Sequence, residues 1–365
     1  MGLDALRFVA AFAVLAYHFT ARDSSAWGEG RHPWEVWPDV FRVTRYGHLG
    51  VQLFFVISGF VILMSAWGRT PRAFVVSRAT RLLPAYWVAV LATGFLLVVL
   101  WPVGDVAVWE VVTNLTMVQS ALGVAHVDGV YWTLFAELLF YVLVTLLLLV
   151  GLTRGRVLVL VLVWPPLAAL AHTSGQDLLA TLLNWYTAPF FCLGMVLYLI
   201  HRWGPSLLHL LLLGYSCALA VGVTATRFPD GAPSVTGATP SLGVVLGTVS
   251  VIPLLVWAAA RFAPRGRAWR WLTVLGALTY PLYLLHEYWG WYVLHLVAPR
   301  LDRWAALALA IAVCLALAWA VHRLVERPLA PRLRRALQQG LDEAAAESAS
   351  GAAADPGRTS ASTTA

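Results

Sequence analysis

An all-α, polytopic bundle of about ten transmembrane helices with both termini cytoplasmic is the fold class this sequence predicts, and two observations carry it. The first is composition. Over 365 residues, 60% of the side chains are apolar, only 12% are charged and the mean hydropathy is +0.75, which is too apolar for a soluble domain. Apolar runs of about 17 to 22 residues recur through most of the length, long enough to cross the hydrocarbon core of a bilayer. The second observation is an alternation of charge between successive connections. Taking the runs in order, the connections after even-numbered spans hold 16 arginines, among them Arg69, Arg72, Arg78, Arg81, Arg154, Arg202 and Arg327; those after odd-numbered spans hold 7 arginines against ten acids. Positively charged connections stay cytoplasmic, so both termini are placed there.

The ten spans are read at 5–22, 49–66, 83–101, 131–150, 156–172, 185–201, 207–224, 242–260, 272–292 and 304–322. The first is a retained span, because it lacks a basic leader and a small-residue cleavage site and carries Arg7 and His18 inside it. Between spans one and two, the connection 22–48 holds Trp27, Trp34 and Trp37 and reads as an interfacial cap. Segment 109–123 is apolar but interrupted by Asn114, Thr116 and Gln119, and reads as a short interfacial or re-entrant piece. Residues 1–335 form the membrane domain. Residues 336–365, rich in Ala, Ser, Gly and Thr, are expected to be a disordered cytoplasmic tail. Cys192, Cys217 and Cys314 lie within apolar runs without metal-ligand or redox spacing. The net charge of +7 follows the membrane boundaries and argues for contact with membrane lipids, not nucleic acid.

Ionisable residues inside spans are costly and mark functional sites. Arg7 and His18 are eleven residues apart, which on an α-helix is about three turns and about 16 Å of rise, so both project from one face. Neutral imidazole can take a proton from a hydroxyl near neutral pH; alternatively His18 is a packing residue. Glu137 in span four is expected at the depth of His18, where a carboxylate could orient the imidazole, with Tyr141 one turn on along the same face. The other reading of Glu137 is a structural partner for an arginine. Arg69, Arg72, Arg78 and Arg81 have no acid among them and some of them open a helix, which suits phosphate; lipid headgroups are the alternative. Ser58 beside Gly59 lacks a nucleophile-elbow pattern and suits close helix packing.

A series of segments, in order along the chain, resembles one family. Leu3-Asp4-Ala5-Leu6-Arg7 through His18, Gly47-His48-Leu49-Gly50 through Phe60, Arg78 to Pro84, Glu137 to Tyr141, and the closing pieces Pro281 to His286 and Val325 to Leu329 together resemble the acyltransferase-3 family of integral membrane acyltransferases over residues 3–331. That resemblance implies transfer of an acyl group, commonly acetyl or another short chain, from acyl-CoA to a hydroxyl of a saccharide or glycosylated small molecule. It implies a multi-pass protein of a cell membrane, the inner one in bacteria, with no permanently bound cofactor. It also implies that Arg7 and His18 are required; with the residue chemistry above, His18 is expected to act as general base, oriented by Glu137. Arg78 and Arg81, with Arg69 and Arg72, would meet the coenzyme A phosphates, and Tyr141 and Ser58 would line the substrate path. Readings from other classes are a proton-coupled exporter, which buried Arg, His and Glu also suit, and a carrier that moves acyl groups across the membrane without modifying an acceptor itself.

Overall fold

The computed structural model describes residues 2–103, 105–237, 239–262 and 269–354. Every regular element among them is helical. Each of the ten predicted spans falls on a helix: α1 Gly2–Thr20, α2 Gly50–Ala66, α3 Pro71–Phe95, α4 Trp132–Leu149, α5 Arg154–Thr173, α6 Ala188–Trp203, α7 Leu207–Thr236, α8 Leu242–Arg261, α9 Arg270–Val297 and α10 Arg303–Val321. Among the described residues, eight helical stretches are long and apolar enough to span a bilayer; α6 is shorter, and α9 is diluted by polar residues in its middle. The protein is a multi-pass helical membrane bundle.

Local chemistry explains where these helices begin. Thr70 caps α3 by accepting a hydrogen bond from the Ala73 amide, with Pro71 in the first turn, an arrangement that satisfies one of the open N–H groups at a helix start. Asp302 does the same for α10 through the amides of Trp304 and Ala305. On α5 and α8 the side chains Val159 and Leu254 point outward, 61% and 64% exposed, as lipid-facing positions require. The core lies between α1, α2, α6 and α9. Helices α2 and α6 cross where Gly59 meets the Phe191 carbonyl and Gly194 meets that of Val56; a Cβ on Gly59 would sit 2.2 Å from the Phe191 oxygen. Close approach of backbones through small residues is how helices associate in lipid, so Gly59 is a packing residue.

One segment departs from expectation. The tryptophans of the cap do not all lie at an interface. Trp27 and Trp37 are 2% and 1% exposed, with the Trp27 indole donating to the Phe19 carbonyl at 2.7 Å and Trp37 edge-on to Trp304. The cap therefore has its own small core, closed onto α10 by Arg303, which donates to the Val36 carbonyl. Helix α11, Arg327–Ala354, continues from α10 through one π turn, His322–Glu326, and Ala, Leu, Gln and Arg are strong helix formers. Residues 355–365 lie outside the described residues, as do Arg265 and Arg267 of the predicted cytoplasmic charge cluster.

Candidate active site

Two spaces meet inside the bundle. A cavity of about 420 Å³ near the cap is lined by Tyr17, His18, Arg22, His48, Gln52 and Tyr186, among others. A crevice of about 80 Å³ nearer the α3 start is lined by Arg7, Ser58, Arg81, Glu137 and Tyr280. Val51 and Tyr283 belong to both walls. Arg7 and His18 thus open from α1 into adjoining spaces, one in each.

The lower crevice gathers most of the basic and acidic residues singled out by sequence. Glu137 accepts a 2.5 Å hydrogen bond from the Tyr141 hydroxyl, and Arg7 lies in the electrostatic field of both Glu137 and Arg81. Arg78 lies over the rings of Phe74 and Tyr141, its centre 5.7 and 5.9 Å from theirs, with Nε shielded and without a partner. Arg69 and Arg72 are not part of this group. Arg69 is exposed, while Arg72 donates to the Gln338 carbonyl and pairs with Asp342 at 2.7 Å on α11. The helical tail therefore occupies an arginine that the sequence left open for phosphate.

Glu137 is not beside His18. The carboxylate there is Glu287 of α9, whose Oε2 lies 3.6 Å from His18 Nε2. Its other oxygen is 3.6 Å from Arg22. Sequence spacing could not see this, because α1 and α9 are brought together only by folding; the helix pairing puts Glu287 on the α1 side of α9 and Glu137 against the lower crevice.

His18 and its neighbour His286 are 4% and 1% exposed. His18 Nδ1 lies 2.8 Å from the Val14 carbonyl and His286 Nδ1 lies 2.9 Å from that of Tyr283. A carbonyl only accepts, so each ring carries its proton on Nδ1. His286 Nε2 then accepts from His18 Nδ1, 3.1 Å away, and the Trp291 indole holds the His18 backbone carbonyl at 2.9 Å. The result is a His18 ring fixed in one tautomer with Nε2 unprotonated.

Near Glu287 stands a second carboxyl, Asp128, which accepts a hydrogen bond from the Val130 amide at 3.1 Å. Asp128 Oδ2 and Glu287 Oε2 have no hydrogen-bond partner, and the two residues are 0% and 1% exposed. Burial pushes the Asp128 carboxyl well above its ordinary range, and the Glu287 charge pushes it the same way. Gly129 makes the approach feasible, since a Cβ there would stand 2.9 Å from both Glu287 oxygens. The sequence signal for this group was an acid next to His286 inside the span 272–292, as unusual there as Glu137 in span four.

A cation and a tyrosine-bound carboxylate below, with an imidazole backed by a carboxyl pair above, suit attack of a hydroxyl on an acyl donor. A profile of the acyltransferase-3 family, described as an acyltransferase domain, matches residues 2–323, nearly the whole chain. The chain belongs to the acyltransferase-3 family. It is accordingly a membrane acyltransferase that transfers groups other than aminoacyl groups. Searches of curated proteins and of solved structures find no match to this acyltransferase.

Proposed function

We propose that this acyltransferase moves an acetyl or other short acyl group from acyl-CoA to a hydroxyl of a saccharide or glycosylated small molecule, with His18 as the general base. The observation that carries the proposal is the junction of the two spaces at Tyr283 and Val51, with Arg7 on one side and His18 on the other. Positive-inside charge supports placing the Arg81 end of the membrane domain, residues 1–335, in the cytoplasm of a bacterial cell membrane. On that orientation the donor phosphates meet Arg81 and Arg78, and the pantetheine arm runs past Arg7 and Ser58 toward His18. The arm has about 16 Å to cover, the helical rise between Arg7 and His18.

His18 Nε2 takes the proton of the acceptor hydroxyl as its oxygen bonds to the thioester carbonyl carbon. When the carbon–sulfur bond breaks, the same proton returns to the departing sulfur, giving the ester and free coenzyme A. Between those events the imidazolium faces the Glu287 carboxylate, which faces Arg22 in turn. Glu287 therefore takes the positioning role that the sequence gave to Glu137.

The test uses purified protein, radiolabelled acetyl-CoA and a panel of sugar glycosides. Label should enter an acceptor with the wild type and not with His18→Ala of equal yield and thermal stability. Turnover retained in His18→Ala refutes the base assignment. Absence of donor-dependent labelling in the wild type, with transport of the same solutes into vesicles, points to an exporter instead.

A further inference from the structure

The cavity above His18 has an unbalanced wall. Arg22, Arg45 and Arg227 all line it, and no Asp or Glu is among its lining residues within the described part of the chain. Arg22 is matched from behind by the buried Glu287. For Arg45 and Arg227 no carboxylate of the described residues lies within ion-pair distance.

Aromatic rings hold these two arginines instead. The Arg45 guanidinium lies 5.0 Å from the Tyr46 ring centre and donates to the Tyr46 hydroxyl at 3.1 Å, and its Nε is shielded without a partner. Arg227 lies 5.0 Å from the Tyr186 ring and 5.3 Å from that of Trp185. Cation–π packing of this kind fixes a guanidinium by its face and leaves its N–H edge for another ligand.

Membrane topology does not explain the placement. This end of the bundle is the arginine-poor one, with 7 arginines against 16 at the other, and three of those 7 converge on one cavity. Headgroup anchors would be distributed around the rim. A concave space of about 420 Å³, within the size range of small-ligand sites, concentrates the field of the two unmatched cations on whatever enters it.

We infer that the acceptor carries an anionic group, a phosphate or carboxylate, held by Arg45 and Arg227 while a hydroxyl of the same molecule lies at His18. The inference rests on the acyl-transfer reading for the role of His18, and its binding component can be measured without turnover. The two arginines act as specificity determinants, gripping a part of the acceptor that does not react.

Binding to the purified full chain is measured by calorimetry with three matched probes: methyl glucoside, methyl glucuronide and glucose 1-phosphate. The two anions should bind about tenfold or more tightly than the neutral glycoside. That preference should shrink between about 0.01 M and about 1 M salt, as the screening length falls from about 30 Å to about 3 Å. Arg45→Gln and Arg227→Gln should each reduce the preference, and Arg45→Lys should keep most of it, with native melting as the folding control. Equal affinity for the three probes in the wild type, or an unchanged preference in both glutamine variants, overturns the inference. A further arm offers glucose linked to a polyprenyl phosphate: tighter binding than glucose 1-phosphate assigns the anion to a lipid carrier, and equal binding assigns it to a free sugar phosphate, each supporting the grip. Acyl transfer is scored separately, so anion-selective binding without transfer strikes the proposed function alone, and transfer without anion selectivity strikes this inference alone.

Discussion

Glu287→Gln separates the roles of the two glutamates inside the bundle. The substitution keeps the shape of the side chain and removes its charge, so that the imidazolium formed at His18 loses a carboxylate 3.6 Å away. At an effective dielectric constant of about 20, unit charges at that distance interact by about 4.6 kcal/mol. The same carboxylate also faces Arg22 at 3.6 Å, so about half of that remains as net stabilisation of the imidazolium. About 2 kcal/mol corresponds to a loss of about 30-fold in kcat. The assay is acceptor-dependent release of coenzyme A, with the donor varied to separate kcat from KM. Glu287→Asp should recover part of the rate because it restores the charge, whereas a packing defect would not be relieved by a shorter side chain. Glu137→Gln should act on the donor side and raise the donor KM. Wild-type kcat in Glu287→Gln, or an equal kcat loss in Glu137→Gln at saturating donor, would refute the assignment.

Arg81→Gln should raise the donor KM about tenfold, as expected for loss of one charge-assisted contact, while Arg72→Gln should leave it within about twofold because Arg72 serves an exposed pair; titration of acetyl-CoA against each variant decides. Gly59→Ala places a Cβ 2.2 Å from the Phe191 carbonyl oxygen and should cost about 1–3 kcal/mol of stability, read as a lower melting temperature in detergent; an unchanged melt would contradict the tight crossing of α2 and α6. In the cap, the hydrogen bond to Asp23 raises the His32 pKa above its ordinary value. A raised folded-state value means the pairing contributes fully below about pH 6.5 and is lost as pH rises through the folded value. Hydrogen exchange of residues 22–37 should therefore be faster at about pH 8.5 than at about pH 5.5 beyond the intrinsic rate change, and Asp23→Asn should abolish that difference.

The helices were legible because lipid leaves a short list of solutions: a backbone in hydrocarbon must satisfy itself, and long apolar runs do so as helices. Arg7, His18 and Glu137 were visible for the same reason, as charges where charge is expensive. Which of them meet was not visible. His18 and Glu287 are separated by most of the chain, and depth along a span cannot say which helices are neighbours or which face each presents. Arg72 shows another limit, since the Asp342 that pairs with it lies far along the chain, on α11. The burial of Trp37 likewise depended on α10 supplying Trp304.

A protein with an open cavity near one end and a crevice toward the other is close to being a pore. Here the wall between them includes Val51 and Tyr283. The Tyr283 hydroxyl is pinned by Thr133 at 3.0 Å and its ring is wedged edge-on against Phe54, 5.5 Å between centres. Such a constriction has an electrical consequence: Tyr283 and Val51 narrow the passage between the two spaces, so an enlargement at Tyr283 would show as leak current across the membrane before it was noticed in chemistry.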